Sequence, residues 1–216
     1  MPILSYALDN IDLVLRLAGE HILLVAVALG GAVLTGVPLG IFLARRPALA
    51  GGVVGVLSVL TTVPSIALFG LLLPVLAVIG QGIGPVPAMI AVFLYAQLPI
   101  VRNTVTALAN VDASLKDAAT GMGMTRRQRL RRVELPLALP VILAGIRTAL
   151  VTNIGVMAIA AYVGAGGLGV LISRGISQSD PRQLVVGAVA VSILAILADL
   201  AVLLVQRRFA PMSIRI

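Results

Sequence analysis

Charged side chains are scarce in this chain. Only 11% of its 216 residues are Asp, Glu, Lys or Arg, whereas soluble domains carry about 25%. Apolar residues make up 60%, and the mean hydropathy is +1.13. So few polar groups cannot cover a water-facing surface. That excludes a soluble enzyme and a disordered chain, and it argues against a nucleic-acid binder despite the net charge of +8. Cysteine is absent, so there is no disulfide framework, thiol nucleophile or Cys-rich metal site. The single histidine, His21, has no His cluster to join. Its position at the start of an apolar run predicts a solvated or interfacial side chain. No carboxylate pair suited to acid–base chemistry lies in the apolar runs, which argues against catalysis inside a membrane. The first 20 residues hold Asp9, Asp12, Arg16 and Glu20. They do not form the basic stretch and apolar core of a cleaved leader.

Long apolar runs are what the chain has in abundance. A membrane helix needs about 20 mostly apolar residues. The runs predict five spans, roughly 22–44, 53–78, 87–109, 137–163 and 184–206, within a single transmembrane domain covering 1–216. Arg45-Arg46 and Arg207-Arg208 end the first and last spans. The Gly- and Pro-rich segment 80–87 divides the uncharged stretch from Pro47 to Val101. Residues Ile3–Leu17 are too charged to cross and read as an amphipathic helix on the membrane surface. The fold class is therefore all-α integral membrane.

Basic residues set the orientation. Fifteen of the sixteen are Arg, and Lys116 is the exception. Eleven fall on one side, at 45–46, in the 112–134 loop and in the tail with Arg207, Arg208 and Arg215; three fall on the other, Arg16, Arg174 and Arg182. This bias predicts an outside N-terminus and a cytoplasmic C-terminus, and it accounts for the net charge without nucleic acid.

The 112–134 loop between spans three and four is long, charged and, on this topology, cytoplasmic. Asp112 is placed to cap one short helix and Thr125 a second, Arg126 to Val133. Gly121 and Gly123 break the chain between them, and Leu135-Pro136 closes the second helix. Two short helices on a Gly turn form a projection that can dock in a groove of a soluble partner.

The loop reads Asp117-Ala118-Ala119, three residues, Gly123, nine residues, Val133, one residue, Leu135-Pro136. It resembles the EAA signature of bacterial ABC importer permeases, E-A-A-x3-G-x9-I-x-L-P, with Asp for Glu and Val for Ile. The resemblance implies a coupling helix around 112–126 that fits a cleft of a separate ATP-binding subunit, with Gly121 and Met124 in the same contact. A further resemblance, along roughly 60–170, is to the osmoprotectant permeases, which import glycine betaine, choline and carnitine. It rests on Thr62-Val63-Pro64-Ser65, Leu98-Pro99-Ile100-Val101-Arg102-Asn103-Thr104, Gly121-Met122-Gly123-Met124-Thr125, Gly145-Ile146-Arg147-Thr148-Ala149 and Gly164-Ala165-Gly166-Gly167-Leu168-Gly169. Methionine, phosphonate and taurine importers have similar loops and stay open as alternatives. The resemblance implies a bacterial inner-membrane subunit that pairs with a second permease copy or a similar permease. Its further partners would be an ATP-binding subunit, an extracytoplasmic binding protein and membrane lipid. ATP and Mg would be bound by the partner, so this chain binds no cofactor and is not itself an enzyme.

Composition bears on that substrate class. A quaternary ammonium is held best by an aromatic cage, with Trp the best wall. Tryptophan is absent, and the seven aromatics Tyr6, Phe42, Phe69, Phe93, Tyr95, Tyr162 and Phe209 are scattered. Affinity should therefore reside in the binding protein, and the permease should offer a mostly neutral corridor. Pro64, Pro74 and Pro99 break backbone inside spans, as transporters tolerate beside a cavity. Pathway or structural candidates are Pro64, Ser65, Pro99, Arg102, Asn103, Arg147, Asn153 and Asp199. Asp199 is the lone acid within a span and needs a partner; Arg102 and Arg147 both lie within reach. Gly164–Gly169 contains a G-x-G-x-x-G match, but a dinucleotide site needs a preceding strand, and here a membrane span precedes it. A small channel, a secondary transporter or a membrane-embedded enzyme would need an intramembrane ion path or a catalytic cluster, and the sequence has neither.

The native chain has no cysteine, which makes the topology testable with single introduced thiols. Ser179→Cys is expected to react with an impermeant thiol reagent in intact cells, and Ser114→Cys only after lysis. The reverse labelling pattern would overturn the five-span orientation.

Overall fold

A computed structural model describes residues 2–209, and these are helical with no strand among them. Helix α1 spans Pro2–Asp9 and α2 spans Ile11–Ala44. The pair α3, Pro47–Thr62, and α4, Ser65–Ala77, is bent by 97° at its break. Next come α5, Pro85–Ala109, and α6, Ala113–Gly121. Helix α7, Arg126–Arg129, runs through a π segment, Leu130–Glu134, into α8, Leu135–Ile159. A 3-10 turn at Ala160–Val163 leads to α9, Gly169–Ser177, and α10, Pro181–Phe209. Arg215, counted with the basic tail, lies outside the described residues.

Helices α2, α5, α8 and α10 are long and apolar enough to cross a membrane. The ends of the bundle show that the bent pair is a fifth crossing. At one end, Ile41 and Ala44 of α2 pack with Ala107, Leu108 and Ala138. At the other, the Gly84 amide donates to the Val163 carbonyl at 2.8 Å. Between Arg45 and Gly84 the chain therefore travels the length of the bundle. Gln206 of α10 donates to the Pro140 carbonyl at 3.0 Å, so α10 ends beside the start of α8. The described chain thus begins and ends at opposite ends of the bundle.

Lipid supplies no hydrophobic drive between helices, so membrane helices associate through close packing of small residues. Ala32, Gly36 and Gly40 lie four residues apart on α2, and all are buried. A Cβ on Gly36 would stand 2.9 Å from Ile100, and one on Gly40 2.5 Å from Thr104. On α8, a Cβ at Gly145 would stand 2.6 Å from the Asn103 Cβ and 2.7 Å from the Pro99 carbonyl oxygen. Helix α5 is thereby gripped on two sides at backbone distance. Gln97 adds an interhelical bond to Thr35 Oγ1, at 2.9 Å.

Several expectations are corrected. The surface helix expected over Ile3–Leu17 breaks at Asn10, and residues 11–17 open α2, with Leu17 buried. Nothing after Asn10 stops a helix, and 34 residues reach about 51 Å, beyond the ~30 Å hydrocarbon core. The charged first turns of α2 therefore project past the membrane. His21 is fully buried rather than solvated, and its Nε2 donates to the Ile154 carbonyl at 3.2 Å. Span two is not one helix over 53–78: Val63 is extended before Pro64, whose ring disfavours helical geometry at the preceding residue. The second loop helix does not close at Leu135-Pro136. It continues into α8, because the widened π turn leaves room for the Pro136 ring where a regular α turn would clash. Between α8 and α10 the chain forms α9, not foreseen as a helix, whose buried Leu171 packs with Val186 of α10.

If α5 and α8 meet through Gly145, then Gly145→Leu should destabilise the detergent-purified protein by about 1–3 kcal/mol or more through overpacking. Gly155→Ala, where a Cβ would meet nothing within 4 Å, should change little. Thermal melting of the two variants checks this, and equal melting temperatures would contradict the packing described.

Candidate functional site: a docking loop and a polar cavity

The docking loop is built by its caps. Asp112 accepts from the Ser114 amide at 2.8 Å and opens α6. That backbone bond holds the Asp112 carboxyl below its ordinary pKa. The cap is therefore fully present above the usual carboxylate range and is lost as pH falls through the lowered value. Thr125 and Gln128 form a reciprocal capping box that opens α7. Between them Gly123 sits at φ +76°, in the left-handed region that side chains disfavour. A Cβ there would meet nothing within 4 Å, so the requirement is conformational rather than steric.

Three contacts that the sequence did not reveal hold this loop, one to the end of α5 and two within the loop itself. Lys116 Nζ donates to the Leu108 carbonyl at 3.1 Å. Arg129 donates to Thr120 Oγ1 at 3.0 Å and, through Nε, to the nearly buried Glu134 at 2.7 Å. Arg129 thus ties the end of α6 to the π segment. Of the signature positions, Ala119 is buried, Met124, Val133 and Leu135 are half-buried, and Asp117, Ala118, Gly121, Gly123 and Pro136 are exposed. Leu115 and Met122 also project as exposed apolar side chains. Apolar knobs on a fastened, capped projection suit insertion into a groove on a partner.

The second feature is a cavity of about 590 Å³ at the break between α3 and α4, walled by α5 and α8. Six of the eight residues singled out for the pathway meet there: Pro64, Ser65, Pro99, Arg102, Asn103 and Asn153. Tyr95 holds the break open by donating its hydroxyl to the Val63 carbonyl. Asn103 Nδ2 donates to the Pro99 carbonyl at 2.8 Å. The threonines at 61, 62, 148 and 152 also line the cavity. Their alternation with apolar residues carries no signal until the helices are assembled.

Arg147 and Asp199 lie in an adjoining recess that shares Thr148 and Thr152 with the cavity. Of the two arginines in reach of Asp199, the structure pairs Arg147. Two bonds join them: Nε to Oδ1, and Nη2 to Oδ2 at 2.6 Å. About a third of each side chain is exposed, so the pair lies at the subunit's edge and not deep inside one bundle. Exposed polar groups at membrane depth face a cavity or a neighbouring subunit rather than lipid.

Membrane-spanning helices, a cavity lined by polar side chains at a helix break and a capped, charged loop fit a membrane subunit of a transport system. Residues 36–212 match the family of binding-protein-dependent transport system inner membrane components, and the chain belongs to that family. It is 53% identical to the osmoprotectant import permease protein OsmW of Salmonella typhimurium, over all of both chains. It is 43% identical to the choline transport system permease protein OpuBB of Bacillus subtilis, over 89% of this chain and 86% of that one. Identity to the carnitine transport permease protein OpuCD of Listeria monocytogenes is 38%, covering 98% and 93%. Among solved structures, an inward-facing MetNI methionine ABC transporter aligns with a TM-score of 0.84 at 26% identity, over 94% of this chain and 99% of that one.

Gly123→Val is expected to leave membrane insertion intact while the chain loses or uncouples its ATP-binding partner. Co-purification and ATPase activity of the complex check this. A mutant complex that assembles and transports normally would remove the docking role from this turn.

Proposed function

We propose that this chain is the permease subunit of an ATP-driven importer of osmoprotectants such as glycine betaine, carnitine or choline. The observation that carries the reading is the 53% identity to an osmoprotectant import permease along the whole of both chains. The nearness of choline and carnitine permeases supports it. An importer of methionine or another amino-acid-like solute is the second reading, since the methionine transporter shares the fold, but at 26% identity.

In this mechanism two permease subunits, identical or similar, face each other across the pathway, and two ATP-binding subunits take the loops at 112–126. ATP binding and hydrolysis, with Mg, take place in those partners. Their closure pushes on α6, and the Arg129 contacts carry that push through the π segment into α8. Helix α8 walls the polar cavity, so the motion opens or closes it. An extracytoplasmic binding protein delivers the solute. The basic bias puts the N-terminus outside and the loop in the cytoplasm, with lipid around the outer faces. No nucleic acid and no cofactor is assigned to this chain.

The expected outcome is ATP-dependent uptake of glycine betaine, carnitine or choline by proteoliposomes holding the chain with its ATP-binding and solute-binding partners. Uptake of methionine, phosphonate or taurine in their place would refute the substrate class.

A further inference from the structure

We infer that the cavity between the α3–α4 break, α5 and α8 is a transient subsite for the carboxylate of a zwitterionic solute, with Arg102 as its charged contact. The inference rests on the osmoprotectant reading and narrows it.

Arg102 lies seven residues before the end of α5, about 10 Å from that end along the helix. It is exposed to the cavity and is the one charged residue lining it. Among the described residues it makes no hydrogen bond or ion pair, unlike Arg147, which Asp199 neutralises. A guanidinium held at membrane depth without a counter-ion points to an anion that comes and goes. Asn153 is a second, independent sign. It is 1% exposed, lines the same cavity, and its side-chain oxygen has no hydrogen-bond partner. Buried polar atoms are normally satisfied, and one left without a partner in the wall of a cavity is a polar group that a solute can answer. The two ends of an amide are interchangeable by rotation, so Asn153 can also present its NH2 to a carboxylate.

The remaining walls explain the preference. Apart from Arg102 the lining is uncharged: threonines, Ser65 and Asn103 alternate with apolar Val63, Leu98 and Val156, and the Tyr95 hydroxyl is already committed to Val63. They accept a methylated ammonium by contact and offer it no negative charge. A solute with a carboxylate gains Arg102, whereas a cation lacking one meets only repulsion from it. The cavity thus favours glycine betaine and carnitine over choline, a second filter after the binding protein.

The absence of native cysteine supplies the test. Thr62→Cys puts a reporter thiol in the cavity of the assembled transporter, and its modification rate by a small thiol reagent is measured with added glycine betaine or choline. Glycine betaine is expected to slow modification and choline is not. Adding Arg102→Gln should raise the half-protecting glycine betaine concentration at least about tenfold, the loss of one charged hydrogen bond. Arg102→Lys should retain most protection. Asn153→Asp, which puts a carboxylate in the cavity, should shift protection towards choline; this arm stands even if Arg102→Gln does not assemble. Equal protection by both solutes, protection by neither, or a preference indifferent to residues 102 and 153 would overturn the subsite. If the wild-type complex imports none of the osmoprotectants, the functional reading falls and the subsite with it. If it imports glycine betaine while protection ignores Arg102, the subsite alone falls.

Discussion

The close approach of α2, α5 and α8 through Gly36, Gly40 and Gly145 is the constraint on which the rest of the molecule depends. In lipid, helices gain little from hiding apolar side chains, so adhesion comes from backbone proximity and a few interhelical polar bonds such as Gln97 to Thr35. The glycine rows make that proximity possible. They also fix where Pro99, Arg102 and Asn103 stand, because Gly145 seats directly against the Pro99 carbonyl and the Asn103 side chain. The cavity wall and the packing seam are therefore one structure.

A second level of organisation is controlled breakage. Pro64 ends α3 and turns the chain by 97°, and Tyr95 takes up the freed Val63 carbonyl. In hydrocarbon an unsatisfied carbonyl is costly, so irregular backbone is confined to places where protein or a cavity can answer it. At the other end of the mechanism, the π segment keeps α7 continuous with α8 despite Pro136. The widened turn leaves the helix continuous from the loop into the bundle. Arg129 and Glu134 brace that point, which explains a nearly buried carboxylate so close to the charged loop.

The partial exposure of Arg147 and Asp199 fits the same plan. Left against lipid, a charged pair would be poorly placed; facing a second subunit or the shared recess beside the cavity, it is answered by protein or water. Arg147, Thr148 and Thr152 mark a partly exposed polar face of α8 beside the cavity.

Composition and charge spacing alone indicated a membrane protein, its long apolar helices, and both helix caps of the basic loop at Asp112 and Thr125. These are local or one-dimensional properties: apolar run length, charge counts, and hydrogen bonds spanning two or three residues. The need for Gly123 was also legible, since a break between two capped helices demands a left-handed turn. Other features depended on contacts far apart in sequence. His21 is buried because Ile154 and the Gly167 backbone close over it, which no neighbouring residue announces. The choice of Arg147 over Arg102 for Asp199 was set by which face of α8 meets α10. The bend at Val63, the threonines of the cavity and the freedom of Arg102 appear only when four helices are assembled, because a helix shows its pathway face only against the neighbours that cover its other sides.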